Sequence, residues 1–140
     1  MSLSASERSI IVTREIEKAD RTFDDVLFCM KEGKWEAAAN RLYYALFHAM
    51  SALLISDGFQ VKSHRGVLAM FGEHYVKTEI FAKKDGSLLS DLVIMRDNAD
   101  YNCFFEADKE KLQPYIEPTE LLLTKIKKYI SNHSVEPLKP

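Results

Sequence analysis

The stretch at residues 35–54, WEAAANRLYYALFHAMSALL, constrains this chain more than any other. Trp35, Ala39, Leu42, Leu46, Ala49, Met50 and Leu53 recur at helical spacing along one stripe, and Ala45, Phe47, Ala52 and Leu54 carry apolar character around the cylinder. A helix with so few faces left for water belongs at the centre of a fold. Arg41, Tyr44 and His48 nevertheless follow one another three and four apart, so they stack along one side of it. An uncompensated charge in apolar surroundings costs several kcal/mol, so this polar stripe must meet a partner within the fold or across an interface. Asp100 is the first acidic partner expected for Arg41.

The remaining segments read as helices that could surround this one. Ser4 with Glu7 forms a capping-box pattern, and Ile10, Ile11, Ala19, Phe23, Val26, Leu27 and Met30 continue a helix to Glu32, where Gly33 ends it. The central helix is expected over 34–57, closed by Gly58. So short a linker favours an antiparallel hairpin. Ser63 caps a third helix expected over 63–76, although Gly66 and Gly72 weaken it by about 1 kcal/mol each relative to Ala. A polar connection over 77–85 leads to a fourth helix through Leu88, Leu89, Leu92, Val93 and Met95, ending near Tyr101. Leu112, Ile116, Leu121, Leu122, Ile126 and Ile130 suit a last helix, but an interior Pro costs about 3 kcal/mol, and Pro114 and Pro118 both intrude. A kink or break is expected there, or a separate helix with Pro118 in its first turn. Period-two alternation and internal repeats are absent. The expectation is one all-α domain over 1–131, an up-and-down bundle of four to five helices, with a frayed tail over 132–140.

Composition narrows the function. A chain of 140 residues is long enough to bury roughly two thirds of its unfolded surface without a disulfide or metal staple. The net charge of −2 supplies no bulk attraction to nucleic acid, so any contact with RNA must be local. Cys29 and Cys103 lie far apart without CxxC spacing, which points to free thiols in a reducing compartment. Without an apolar run of about 18 residues or a signal-peptide core, a cytoplasmic protein with no membrane role is expected. None of the four histidines follows a Glu by three residues, which removes the carboxylate-bridged di-iron pattern. P-loop, GxGxxG, GxSxG and HExxH motifs are missing, and no cofactor or metal is expected. The fourth helix, with Asp91, Asp97 and Asp100 beside one arginine, makes a poor DNA-recognition helix.

Three clusters hold polar residues that helix packing alone would not choose: Asn40-Arg41-Leu42-Tyr43-Tyr44 with His48, Lys62-Ser63-His64-Arg65, and Arg96-Asp97-Asn98-Ala99-Asp100-Tyr101. Each also has a plain architectural role. Arg41 can pin helix register through a carboxylate, His48 can be a satisfied core histidine, Ser63 can be only a cap, and Asn98 and Asp100 can simply end a helix. Arg96 is harder to explain in this way. It follows Leu92 by four, on the apolar side of its helix, with Asp100 one turn later to orient its guanidinium. If the clusters converge, Arg41, Tyr44, His48, His64, Arg65, Arg96 and Asp100 form a surface suited to phosphate and base recognition.

These clusters, in this order on an all-α chain, resemble the HEPN domain family. The resemblance runs from Arg14 to Ile130 through Ala38-Ala39-Asn40-Arg41-Leu42-Tyr43-Tyr44-Ala45-Leu46-Phe47-His48-Ala49, Lys62-Ser63-His64-Arg65-Gly66 and Arg96-Asp97-Asn98-Ala99-Asp100-Tyr101. It points to the small stand-alone prokaryotic branch, often paired with a minimal nucleotidyltransferase as toxin and antitoxin. The resemblance implies a homodimeric bundle binding nucleotide or RNA phosphate. Many members are metal-independent ribonucleases that use an Arg followed a few residues later by a His. Arg96 fits the first position, but Tyr101 stands where the His is expected. Phenols titrate near pH 10 in model peptides, so Arg96 with Tyr101 needs a substitute base for catalysis, such as His48 or His64. The alternative that follows is a non-catalytic substrate-binding or scaffold subunit of a nucleotidyltransferase complex.

Overall fold

Ser4 sets the start of the first helix. Its Oγ accepts the Glu7 amide at 3.2 Å, and the Glu7 carboxylate accepts the Ser4 amide at 2.9 Å, completing a capping box. That bond to the backbone holds the Glu7 carboxyl below the usual carboxylate range. The computed structural model describes residues 3–133. Helix α1 (Ala5–Lys31) turns back at Gly33, whose φ of +70° is left-handed, and runs antiparallel along α2 (Trp35–Ser56). The core side of α1 is Val12, Ala19, Phe23, Val26 and Cys29. Ile10 and Leu27, expected in that stripe, face outward at 60% and 45% exposure.

Helix α2 is the axis of the molecule. Leu42, Ala45, Leu46, Met50, Ala52, Leu53 and Leu54 are fully buried, because α1, α3, α4 and α5 all pack on this one helix. Its apolar surplus is therefore consumed inside a single chain. Gly58, at φ +90°, closes it.

Ser63 caps α3 (His64–Phe71), its Oγ accepting the Gly66 amide at 3.0 Å. The single helix expected over 63–76 is instead α-helical to Phe71 and then widens into a π-helical turn, Gly72–Val76, closed by the Lys77 amide on the Gly72 carbonyl at 2.8 Å. The wide turn carries Tyr75 into the core, where its hydroxyl donates to the Asp57 carboxylate at 2.6 Å.

Helix α4 (Lys83–Tyr101) begins inside the run read as a polar connection. Asp85 explains this: it is buried, accepts the Ala82 amide at 3.0 Å and pairs with Lys125 at 2.8 Å. Helix α5 (Lys109–His133) starts at Asp108, whose Oδ1 accepts the Lys111 amide at 2.9 Å, and passes through Pro114 and Pro118 without a break. Packing wins over propensity here. Leu112, Leu122, Ile126 and Ile130 are buried at about 2 kcal/mol apiece, against two prolines at about 3. Leu121, expected inside, is 62% exposed, and Leu123 is buried in the same turn. The helix outlasts the expected boundary at Ser131, because His133 donates Nδ1–H to the Tyr129 carbonyl at 2.8 Å and stacks on its ring at 4.0 Å. The rest of the expected tail, 134–140, lies outside the described residues. Among the described residues every regular element is helical, and no helix is long and apolar enough to cross a membrane.

Candidate functional site

Arg96 leaves α4 toward the polar stripe of α2. Its guanidinium carbon lies 5.2 Å from the ring centre of Tyr43, 5.6 Å from that of Tyr44 and 5.8 Å from that of Tyr101. The side chain is 16% exposed. Nη2 donates to the Tyr101 hydroxyl at 3.4 Å, and Nε sits 3.5 Å from Asp100 and 3.6 Å from Asp97 without a directed hydrogen bond among the described residues. Burial works against the charge. The Tyr101 hydrogen bond, Tyr44 and Asp97 outweigh it, so the guanidinium holds its proton more tightly than an ordinary arginine.

The rings beneath Arg96 tie in the other clusters. Tyr43 is buried, and its hydroxyl meets His64 Nδ1 at 3.2 Å. Burial pushes its phenol up, opposed only in part by Arg96. The His64 ring lies 4.3 Å from Phe47 and 5.7 Å from Tyr44. Tyr44 is also flanked by Arg41 at 5.3 Å and His48 at 6.2 Å. His48 is held from α1, its Nδ1 2.9 Å from Glu15. Tyr44 thus touches Arg41, His48, His64 and Arg96, with Tyr101 and Asp100 joined through Arg96. Arg65 is not brought in: it is exposed, and makes no hydrogen bond or ion pair with the described residues.

Arg41 does not pair with Asp100. Asn40 stands between them: its Oδ1 accepts Arg41 Nη2 at 2.6 Å and Nε at 3.0 Å, while its Nδ2 donates to Asp100 Oδ2 at 3.0 Å. Arg41 is half-buried rather than enclosed, which removes the energetic need for a direct carboxylate partner. Glu15 was not singled out in the sequence, and Asn40 and Tyr43 stood in the first polar cluster without a site role of their own. Glu15 was findable, since a tight antiparallel hairpin sets residues at comparable distances from Gly33 opposite each other, as Glu15 and His48 are. Tyr43 was masked by its apolar neighbours, and Asn40 by standing next to Arg41, where helical neighbours are not expected to face each other.

An all-helical bundle wound around one buried helix, with an arginine from the fourth helix clasped by tyrosines, defines the class of protein. Residues 12–129 match the HEPN domain model, and the chain belongs to that family. Relatives span most of it. A UPF0332 protein of Thermotoga maritima is 32% identical over 127 residues, 91% of this chain and 96% of that protein. A Methanocaldococcus jannaschii protein bearing the name "Putative toxin MJ0142" is 28% identical over 120 residues, covering 86% of this chain and 82% of its own. A UPF0332 protein of Archaeoglobus fulgidus is 28% identical over 119 residues, with 84% and 94% covered.

Proposed function

We propose that this chain is a toxin-like HEPN protein that binds RNA or nucleotide phosphate at Arg96 and acts as a homodimer with a minimal nucleotidyltransferase partner. The observation that carries this is the arginine clasped by Tyr43, Tyr44 and Tyr101. Its charge is retained, Asp97 and Asp100 lie 3.6 and 3.5 Å from its Nε, and a guanidinium is a cation well suited to phosphate. Tyr101, 75% exposed, can donate its hydroxyl to a phosphate oxygen or stack a base. The toxin-like role draws further support from the family and from the names of two Methanocaldococcus jannaschii relatives. The dimer draws support from exposed apolar side chains within α4 and beyond its end, Ile94 at 59% and Phe104 at 91%.

Catalysis on this geometry needs a base other than Tyr101. His64, which shares Tyr43 with Arg96, is better placed than His48, whose Nδ1 is engaged by Glu15. Weak or absent cleavage by the isolated protein follows. The second reading, a non-catalytic subunit of a nucleotidyltransferase complex, is favoured by the phenol standing where the family's histidine is expected. In the paired systems Tyr101 can be the acceptor: its oxygen attacks the α-phosphorus of a nucleoside triphosphate, pyrophosphate leaves, and the phenolic proton goes to solvent. The added phosphate places negative charge beside Arg96 and closes the site to RNA.

The test is binding and cleavage of tRNA and total RNA by wild type, Arg96→Ala and Tyr101→Phe. Arg96→Ala is expected to lose about 1.5–3 kcal/mol of RNA binding, tenfold or more. Strong metal-independent cleavage that survives Arg96→Ala places the chemistry elsewhere and defeats the assignment.

A further inference from the structure

Tyr44 carries two cations on one ring. The Arg96 guanidinium carbon lies 5.6 Å from the ring centre and that of Arg41 5.3 Å, so the two charges, one from α4 and one from α2, stand within about 11 Å of each other. We infer that Arg41 is a second phosphate-binding residue, and that the two arginines take successive phosphates of one RNA strand, so the ligand is an RNA chain and not a single nucleotide; this rests on the phosphate-binding role proposed above for Arg96.

Three observations carry it. First, the charge of Arg41 is not neutralised within the fold. It forms no ion pair among the described residues, and its hydrogen bonds, from Nη2 at 2.6 Å and Nε at 3.0 Å, both go to the neutral Asn40 oxygen. Those bonds occupy one edge of the guanidinium, and the side chain is only half-buried, so the Nη1 edge keeps paired donors for a ligand. Second, Asn40 keeps the nearest acid occupied. Its Nδ2 donates to Asp100 Oδ2 at 3.0 Å, and the same oxygen faces Arg96 Nε at 3.5 Å. A direct Arg41–Asp100 pair would be the stronger bond, yet the amide stands in its place. A cation held by a neutral amide keeps its field for an anion from outside.

Third, the path between the guanidiniums decides how many phosphates bind. It runs from Arg41 through the Asn40 amide and the Asp100 carboxylate to Arg96. One phosphate reaching for both arginines would meet that carboxylate and be repelled. Two phosphates, one on each arginine, leave the uncharged sugar of the strand to pass it. Tyr44 supplies the ring that such a strand crosses, and an aromatic side chain flanked by cations is a common way to hold a single strand.

The experiment is calorimetric titration of the full chain with uridine 3′,5′-bisphosphate, which sets the two successive phosphates of a strand on one nucleoside, and with 5′-UMP and 3′-UMP, which carry one each. Wild type is expected to bind the bisphosphate about tenfold or more tighter than either monophosphate, the scale of one charge-assisted contact. Arg41→Ala should bring the bisphosphate to within about twofold of the monophosphates and leave those unchanged. Arg8→Ala removes the same charge at the opposite end of α2, beside Ile55 and Phe59, and should keep the preference. On an oligouridylate the slope of log K against log salt should become shallower by about 0.7 in Arg41→Ala, one phosphate of a single strand. Equal binding of the three ligands by wild type, a preference that survives Arg41→Ala or is lost in Arg8→Ala as well, monophosphate binding that falls with Arg41, or an unchanged slope overturns the second phosphate site while leaving Arg96 in place. Absence of binding by any of the three and by RNA overturns both.

Discussion

Two arginines in this protein occupy opposite situations. Arg41 is half-buried and bonded to a neutral amide, so Arg41→Ala is expected to cost about 1 kcal/mol or less of folding free energy in urea denaturation. Arg96 sits on three rings with its side chain 16% exposed, and Arg96→Ala is expected to cost about 2 kcal/mol, the worth of a desolvated cation–π contact. The reverse order would mean that Arg41 is the enclosed one. Sequence spacing placed Arg96 well, because a residue four after a buried leucine and four before an aspartate has its surroundings set by its own helix. It misplaced the partner of Arg41. Pairing across helices depends on how far a long side chain folds back, and Arg41 reaches its immediate neighbour, which spacing rules for helices disfavour.

At the level of the elements, local chemistry was readable wherever a cap decides it, as at Ser4, Ser63, Gly33 and Gly58. It failed where tertiary packing overrides propensity. α5 ignores two prolines because α2 pulls its apolar face in, and α4 starts early because buried Asp85 finds both a backbone amide and Lys125. Restoring the missing amide should therefore help: Pro118→Ala is expected to stabilise by about 1–3 kcal/mol in urea denaturation, and a loss would show that α5 needs the ring. The π-helical turn makes a separate prediction. Burial, with Asp57 against the hydroxyl, raises the Tyr75 phenol far above its ordinary value, and Tyr129 is raised in the same way. The unfolded chain releases these protons near pH 10 and the folded chain only above it, so stability is full below about pH 10 and falls as pH rises beyond. Melting temperatures from pH 8 to 11 should show that decline, and Tyr75→Phe should make it shallower. An equal slope in the variant assigns the decline to other groups.

Helix α2 leaves no large apolar side chain exposed among the described residues. Exposed large apolar side chains lie elsewhere, among them Ile94, Tyr101 and Phe104 on α4 and just past its end, Ile10, Leu27 and Phe28 on α1, and Leu121 on α5. Light scattering at micromolar concentration is expected to give the mass of two chains, and a mass of one removes the homodimer. The order of the chain adds a consequence in time. The α1–α2 hairpin is the most local large contact in the fold and leaves the ribosome first, so it can form while the rest is still being made. Arg96 is synthesised later and gains its tyrosine setting only when α4 docks on that hairpin. A growing chain therefore carries the aromatic platform without its charge, and the Arg96 cluster is complete only once the fourth helix is in place.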